Sequence, residues 1–161
     1  MILERPELVP PWLVLAERHA GRRELERGKL SAFVAALFAH TRFPLARVTN
    51  STPWCAAFVC SMLEDAGIRS PKSARARDFL RWGVAIRPIV AGAVLVFPRG
   101  KAAGHVGFAL GPSHQGYVDV LGGNQRNRVC VDRRRALDAL DVRWPTEVAI
   151  PEGAITLCPT S

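Results

Sequence analysis

The order of apolar and polar positions divides the chain into a helical first half and a strand-rich second half. "PPWLVLAERHAG" has Pro at an entry, an apolar stripe of Leu13, Ala16 and Ala20, and Gly21 as a stop. "RELERGKLSAFVAALFAHT" continues as one or two helices with a break at Gly28. "TPWCAAFVCSMLEDAG" is fully punctuated: Thr52 is the expected N-cap, Pro53 the first helical position and Gly67 the residue after the end. On that helix Cys55 shares a stripe with Val59, Met62 and Ala66, opposite Ser61, Glu64 and Asp65. "SARARDFLRWG" is a further short helix closed by Gly83. The runs that follow are short and β-rich: "GAVLVFP", "GHVGFAL", "GYVDVLGG", "NRVCVDR", "LDVRWP" and "GAITLCP", separated by Gly, Pro and polar residues. Their close spacing predicts an antiparallel meander, and helices followed by strands predict an α+β domain.

A length of 161 residues fits a single domain over 1–161, with its core at about 10–145 and a terminal strand and tail over 146–161. A hydrophobic content of 48% excludes a disordered chain. The start, "MILERPELVPPWLVLAERHAG", does not read as a secretory signal, because two prolines break its apolar stretch and no basic segment precedes it. No run approaches the length of a membrane-spanning helix, so no membrane insertion is expected. The expectation is a chain made in the cytoplasm that reaches any other place of action by lysis or dedicated secretion.

Charge and cysteines narrow the chemistry. A net charge of +8 suits an anionic polymer such as nucleic acid, a phospholipid face or an acidic cell wall. The clearest basic run, "DRRR" at 132–135, reads as a solvated turn after a strand, and no nucleic-acid-binding motif accompanies it. Cys55, Cys60, Cys130 and Cys158 show no paired-ligand spacing with His19, His40, His105 or His114, so no zinc site is expected, and a core of this size needs no disulfide framework.

Cys55 differs from the other thiols. It faces inward from the first turn of its helix, where unpaired N–H groups and the helix dipole favour an anion. That is the environment of a reactive cysteine, whereas Cys60, in mid-helix, reads as packing. A cysteine nucleophile needs a base, and His105 in "GHVGFAL" is the best candidate. On an extended strand it shares a face with Gly107 and Ala109, which leave room for a helix to approach. If Leu110 pairs with Tyr117 across "GPSHQG", His105 falls opposite Gly122 and Asn124 lies diagonally beyond, able to hold the imidazole; one bulge would turn Asn124 away. His114 falls in the loop tip, and His19 and His40 on distant helices.

These residues carry a resemblance. "TPWCAAFV", "GAVLVFPRG", "GHVGFALG" and "LGGNQRNRVCV", with "PPWLVLAERHAG" and "SARARDFLRWG", resemble small bacterial and phage proteins related to the CHAP domain. These are cysteine- and histidine-dependent amidohydrolases/peptidases of the NlpC-like, papain-like superfamily. The resemblance implies a papain-like α+β fold with N-terminal helices packed on a C-terminal antiparallel sheet of about five to six strands. It implies hydrolysis of an amide bond in peptidoglycan, as an N-acetylmuramoyl-L-alanine amidase or a stem-peptide endopeptidase, without metal or organic cofactor. By position it puts the nucleophile on Cys55, the general base on His105 and the polar third residue on Asn124. Many relatives carry a glutamate two residues before that asparagine; here the position is Gly122, leaving the orienting task to Asn124 alone. An acidic residue that often precedes "TPWC" is here Asn50. Trp54, Asn50, Gly104 and Gln125 are the candidate substrate-binding residues. The implied partner is peptidoglycan and not nucleic acid, the implied state a monomer, and an effector would also have a cognate inhibitor or immunity protein. Two other classes stay open at this point: a catalytically silent scaffold of the same fold that holds a wall fragment or a protein partner, and a basic nucleic-acid-binding domain.

Overall fold

The computed structural model describes residues 9–157. Helix α1 (Pro11–Arg18) buries Trp12, Leu13 and Ala16, while Ala20 falls beyond its end and is exposed. The Trp12 indole N–H donates to the Gly92 carbonyl at 2.8 Å, tying the helix to the strand region. The next segment corrects the helical expectation. Strands β1 (Leu25–Glu26) and β2 (Lys29–Leu30) form a small hairpin turned at Arg27–Gly28, with φ of 52° and 75°. Two successive positive φ values make the tight turn that matches strand twist, and this local chemistry outweighs the helical pattern around it. Helix α2 (Ala32–Leu37) begins only afterwards, capped by the Ser31 hydroxyl, which accepts from the Val34 N–H at 3.1 Å.

Helix α3 (Cys55–Asp65) starts two residues later than its punctuation suggests, with Trp54 as N-cap. The Thr52 hydroxyl accepts instead from the Thr49 N–H at 2.9 Å, within a turn, so it does not cap the helix. Every residue from 55 to 63 is buried, so the helix has no solvated face before Glu64. Ser61, expected on the outer side, is buried and donates its hydroxyl to the Leu37 carbonyl at 2.9 Å, which removes the cost of burying it. Gly67 ends the helix at φ 80°.

The segment expected as a further short helix is 3₁₀, Ala76–Arg81, and immediately precedes the sheet. The sheet strands are β3 (Val84–Arg87), β4 (Val94–Arg99), β5 (Ala103–Ala109), β6 (Tyr117–Gln125), β7 (Arg128–Arg135), β8 (Asp141–Trp144) and β9 (Ile155–Thr156). They lie in the order β7-β6-β5-β4-β8-β3-β9, each neighbour antiparallel. The meander from β4 to β7 is as expected, but the sheet has seven strands rather than five to six. The additional strand is β3, whose four residues are too few to show an alternation; it pairs with β8 and β9 and buries Ile86 in the core. "DRRR" is also corrected: residues 132–135 are the second half of β7, not a turn. Among the described residues, no helix is long and apolar enough to cross a membrane.

Candidate active site

The site is made by an irregularity in β6. Strands β6 and β7 pair from Tyr117–Arg135 to Gly122–Cys130 and again at Gln125–Arg128. Gly123 and Asn124 therefore oppose Val129 alone, a bulge in which Asn124 adopts φ 56°. The two-residue turn that follows, Arg126–Asn127, has φ of 51° and 59°. One extra residue inverts the alternation of faces, so Gln125 and not Asn124 follows Gly122 on the face of His105. The β5–β6 register also differs from the expected one by two residues, with Phe108 opposite Leu121. An even shift keeps the faces; the bulge does not.

His105, 1% exposed, places Nε2 2.9 Å from Oε1 of Gln125. The glutamine amide nitrogen donates to the carbonyls of Val120, at 3.2 Å, and Cys130, at 2.5 Å. Carbonyls only accept, so these two bonds fix Oε1 toward the ring and require the proton on His105 Nε2. Nδ1 is then the basic nitrogen, buried and without a partner among the described residues. Gly122 is a condition of this bond, since a Cβ there would lie 3.0 Å from Gln125 Oε1 and 3.3 Å from His105 Nε2. Burial, then the positive charge of Arg134, push the His105 pKa down to about 4, against a partial upward pull from Gln125.

Cys55 opens α3 and is 2% exposed. The ladder between β5 and β6 is confined to 108–109 and 120–121, and the Val106 N–H beside His105 reaches the thiol. Burial pushes the Cys55 thiol up; the N–H groups of Val106, Ala56 and Cys55 and the charge of Arg99 offset only part of it. Loss of solvent therefore works against the anion that the helix start was expected to favour, and the net direction is upward. The helix and β6 meet at Gly123, where a Cβ would lie 2.7 Å from Trp54 Cζ3 and 2.8 Å from Phe58 Cβ. A Gly123→Ala chain is expected to lose about 1–3 kcal/mol of stability, read by urea unfolding, since neither ring nor helix can withdraw.

Residues 47–124 match the CHAP domain family. That match, over just under half of the chain, is consistent with a CHAP-related family. CHAP domains are in general peptidoglycan hydrolases of the amidase type. No curated protein and no solved structure matches the chain. The matched span of the CHAP domain holds Cys55, His105 and Asn124, and it ends one residue before Gln125.

The remaining candidate residues are placed as follows. Trp54 is fully buried, its indole N–H donating to Glu24 Oε1 at 3.1 Å, and it forms no wall of an open cleft. Asn50 is exposed in the turn that precedes α3. Gly104 is a packing position: a Cβ there would lie 2.9 Å from the Phe97 carbonyl and 3.1 Å from Arg77 Cγ. Asn124 is half-buried and makes no hydrogen bond to His105, the bulge having turned it away. His40 pairs with Asp65 at 3.4 Å, His19 packs on Phe33 at 4.9 Å, and His114 is exposed; none stands by Cys55. Cys55, Cys60 and Cys130 are free thiols, and Cys158 lies outside the described residues. Sequence reasoning named Gln125 only as a substrate contact. The signal for its actual place was the pair Gly122–Gly123 followed by Asn, residues that a bulge with positive φ favours.

Proposed function

We propose that the protein is a papain-like cysteine hydrolase that cleaves an amide bond of the peptidoglycan peptide, as a muramoyl-alanine amidase or a stem-peptide endopeptidase. The observation that carries this reading is the His105–Gln125 bond, which leaves Nδ1 as the basic nitrogen of an imidazole on the strand whose Val106 N–H meets the Cys55 thiol. His105 Nδ1 takes the thiol proton as sulfur attacks the carbonyl carbon, and the carbonyl electron pair moves to oxygen. The Cys55 backbone N–H at the helix start stabilises that oxyanion. The imidazolium gives its proton to the leaving nitrogen as the C–N bond breaks, leaving a thioester. Water, deprotonated by the same nitrogen, attacks the thioester; the acid departs and the proton returns to sulfur. Gln125 does in this scheme what the third residue does in Cys-His-Asn sites: it holds the tautomer and ring plane. The protein meets the wall after release by lysis or dedicated secretion, helped by its net charge of +8.

Mass spectrometry of purified peptidoglycan digested with the wild type and with Cys55→Ala tests the reading and names the bond. The expected result is new amide-cleavage fragments from the wild type and none from Cys55→Ala, with equal circular dichroism. Intact wall in the wild-type digest across several wall chemistries overturns it and leaves a wall-binding or partner-binding scaffold. Salt-sensitive retention of DNA or RNA that survives Cys55→Ala, in a chain that digests no wall, identifies the basic nucleic-acid-binding alternative.

A further inference from the structure

Two guanidinium groups, those of Arg99 and Arg134, flank Phe97, the cross-strand neighbour of His105, with no carboxylate partner among the described residues. The arginine–carboxylate ion pairs there are Arg126–Asp132 at 2.5 Å, Arg133–Asp119 at 3.1 Å and Arg143–Asp141 at 3.0 Å, none of which engages Arg99 or Arg134. Arg99 closes β4 two residues after Phe97, and Phe97 lies directly opposite His105. Strand alternation puts Arg99, Phe97 and His105 on one face. Arg134 lies on β7, paired with Val118, yet its guanidinium carbon is 5.0 Å from the centre of the Phe97 ring. In a flat sheet those strands are three spacings apart, about 14 Å. The sheet therefore curls, and Arg134 arches over the hollow that contains His105.

Arg134 carries an unpaired donor. Its Nε is shielded from solvent and has no acceptor. Asp132, two residues earlier on the same face, commits its carboxylate to Arg126. A shielded donor on a charged group without an acceptor is costly, and a planar fork of donors is best completed by a carboxylate or phosphate. Both arginines act on the reacting pair: Arg134 and Arg99 add to the effect of burial in lowering the His105 pKa, and Arg99 opposes the effect of burial on Cys55. In a hydrolase of peptide amides, the anion that comes this near the sulfur is a carboxylate attached close to the scissile bond.

We propose that Arg134, with Arg99, forms a carboxylate-binding subsite beside Cys55 and His105 that selects amides bearing a free carboxylate next to the bond cut. The proposal rests on the hydrolase reading. Soluble muropeptides with free stem carboxylates, and the same muropeptides converted to carboxamides with carbodiimide and ammonia, are compared as substrates. The wild type is expected to favour the free form in kcat/KM by about 10- to 100-fold, the size of a charge-assisted hydrogen bond, chiefly through KM and less so at high salt. Arg134→Gln is expected to collapse that preference and Arg99→Gln, an exposed position, to reduce it; thermal melts check that both chains fold. Equal hydrolysis of the two forms by the wild type, or a preference that survives both substitutions, overturns the subsite. A wild type that cleaves neither form overturns the hydrolase reading instead. Calorimetric titration of the Cys55→Ala chain with both forms then decides the subsite alone: tighter binding of the free form, lost in Arg134→Gln, supports it, and equal affinity overturns it.

Discussion

Wall hydrolysis by a Gln125→Leu chain is expected to fall about 100-fold, and by a His105→Ala chain by up to about 10⁴-fold, in dye-release or fragment-release assays. The histidine substitution removes the base itself. The leucine substitution leaves the base but frees it in two ways. Without Oε1 to accept from Nε2–H, the ring exchanges tautomers and turns, so Nδ1 is the basic nitrogen only part of the time. The pull that Gln125 exerts on His105 also disappears, so the histidine pKa, already about 4, moves lower. The acid limb of kcat/KM, which reports the free protein's base, should therefore shift to lower pH in Gln125→Leu. Lost packing alone would lower the rate without moving that limb. The carbonyls of Val120 and Cys130 lose their donor as well, so unfolding curves are needed to normalise for folded protein.

Acidification is expected to cost the protein about 3 kcal/mol through His105 alone. The imidazole titrates at about 4 when folded against an ordinary value of 6.5, because burial, then Arg134, disfavour its charged form. Between those values the unfolded chain binds a proton that the folded chain refuses. Stability from this group is therefore intact above about pH 6.5, declines as pH falls, and is fully lost below about pH 4. Urea unfolding across that range in the wild type and in His105→Leu isolates the effect, since every other titrating group is common to both. A slope that persists unchanged in His105→Leu would assign the acid sensitivity elsewhere, with His19, whose pKa burial also lowers, the first to examine.

The parts of the molecule readable from the chain are those set by local periodicity and punctuation. The apolar run after Trp54 makes a helix that Gly67 ends, although the helix begins at Cys55 and not at Pro53. Alternation puts His105 on a strand that turns it inward beside small neighbours, and the runs from residue 94 to residue 135 form the meander their spacing implies. What the chain alone left open depends on sums over distant neighbours or on one residue of parity. The bulge at Gly123–Asn124 exchanges Asn124 for Gln125 at the imidazole, and nothing in a two-residue period shows where an extra residue is inserted. The protonation of Cys55 follows from how much of the protein surrounds the sulfur, and that desolvation exceeds the helix-start effect visible in the sequence. Curling of the sheet brings Arg134 from β7 over Phe97 of β4, a meeting of residues 37 positions apart that only the packed strands could decide.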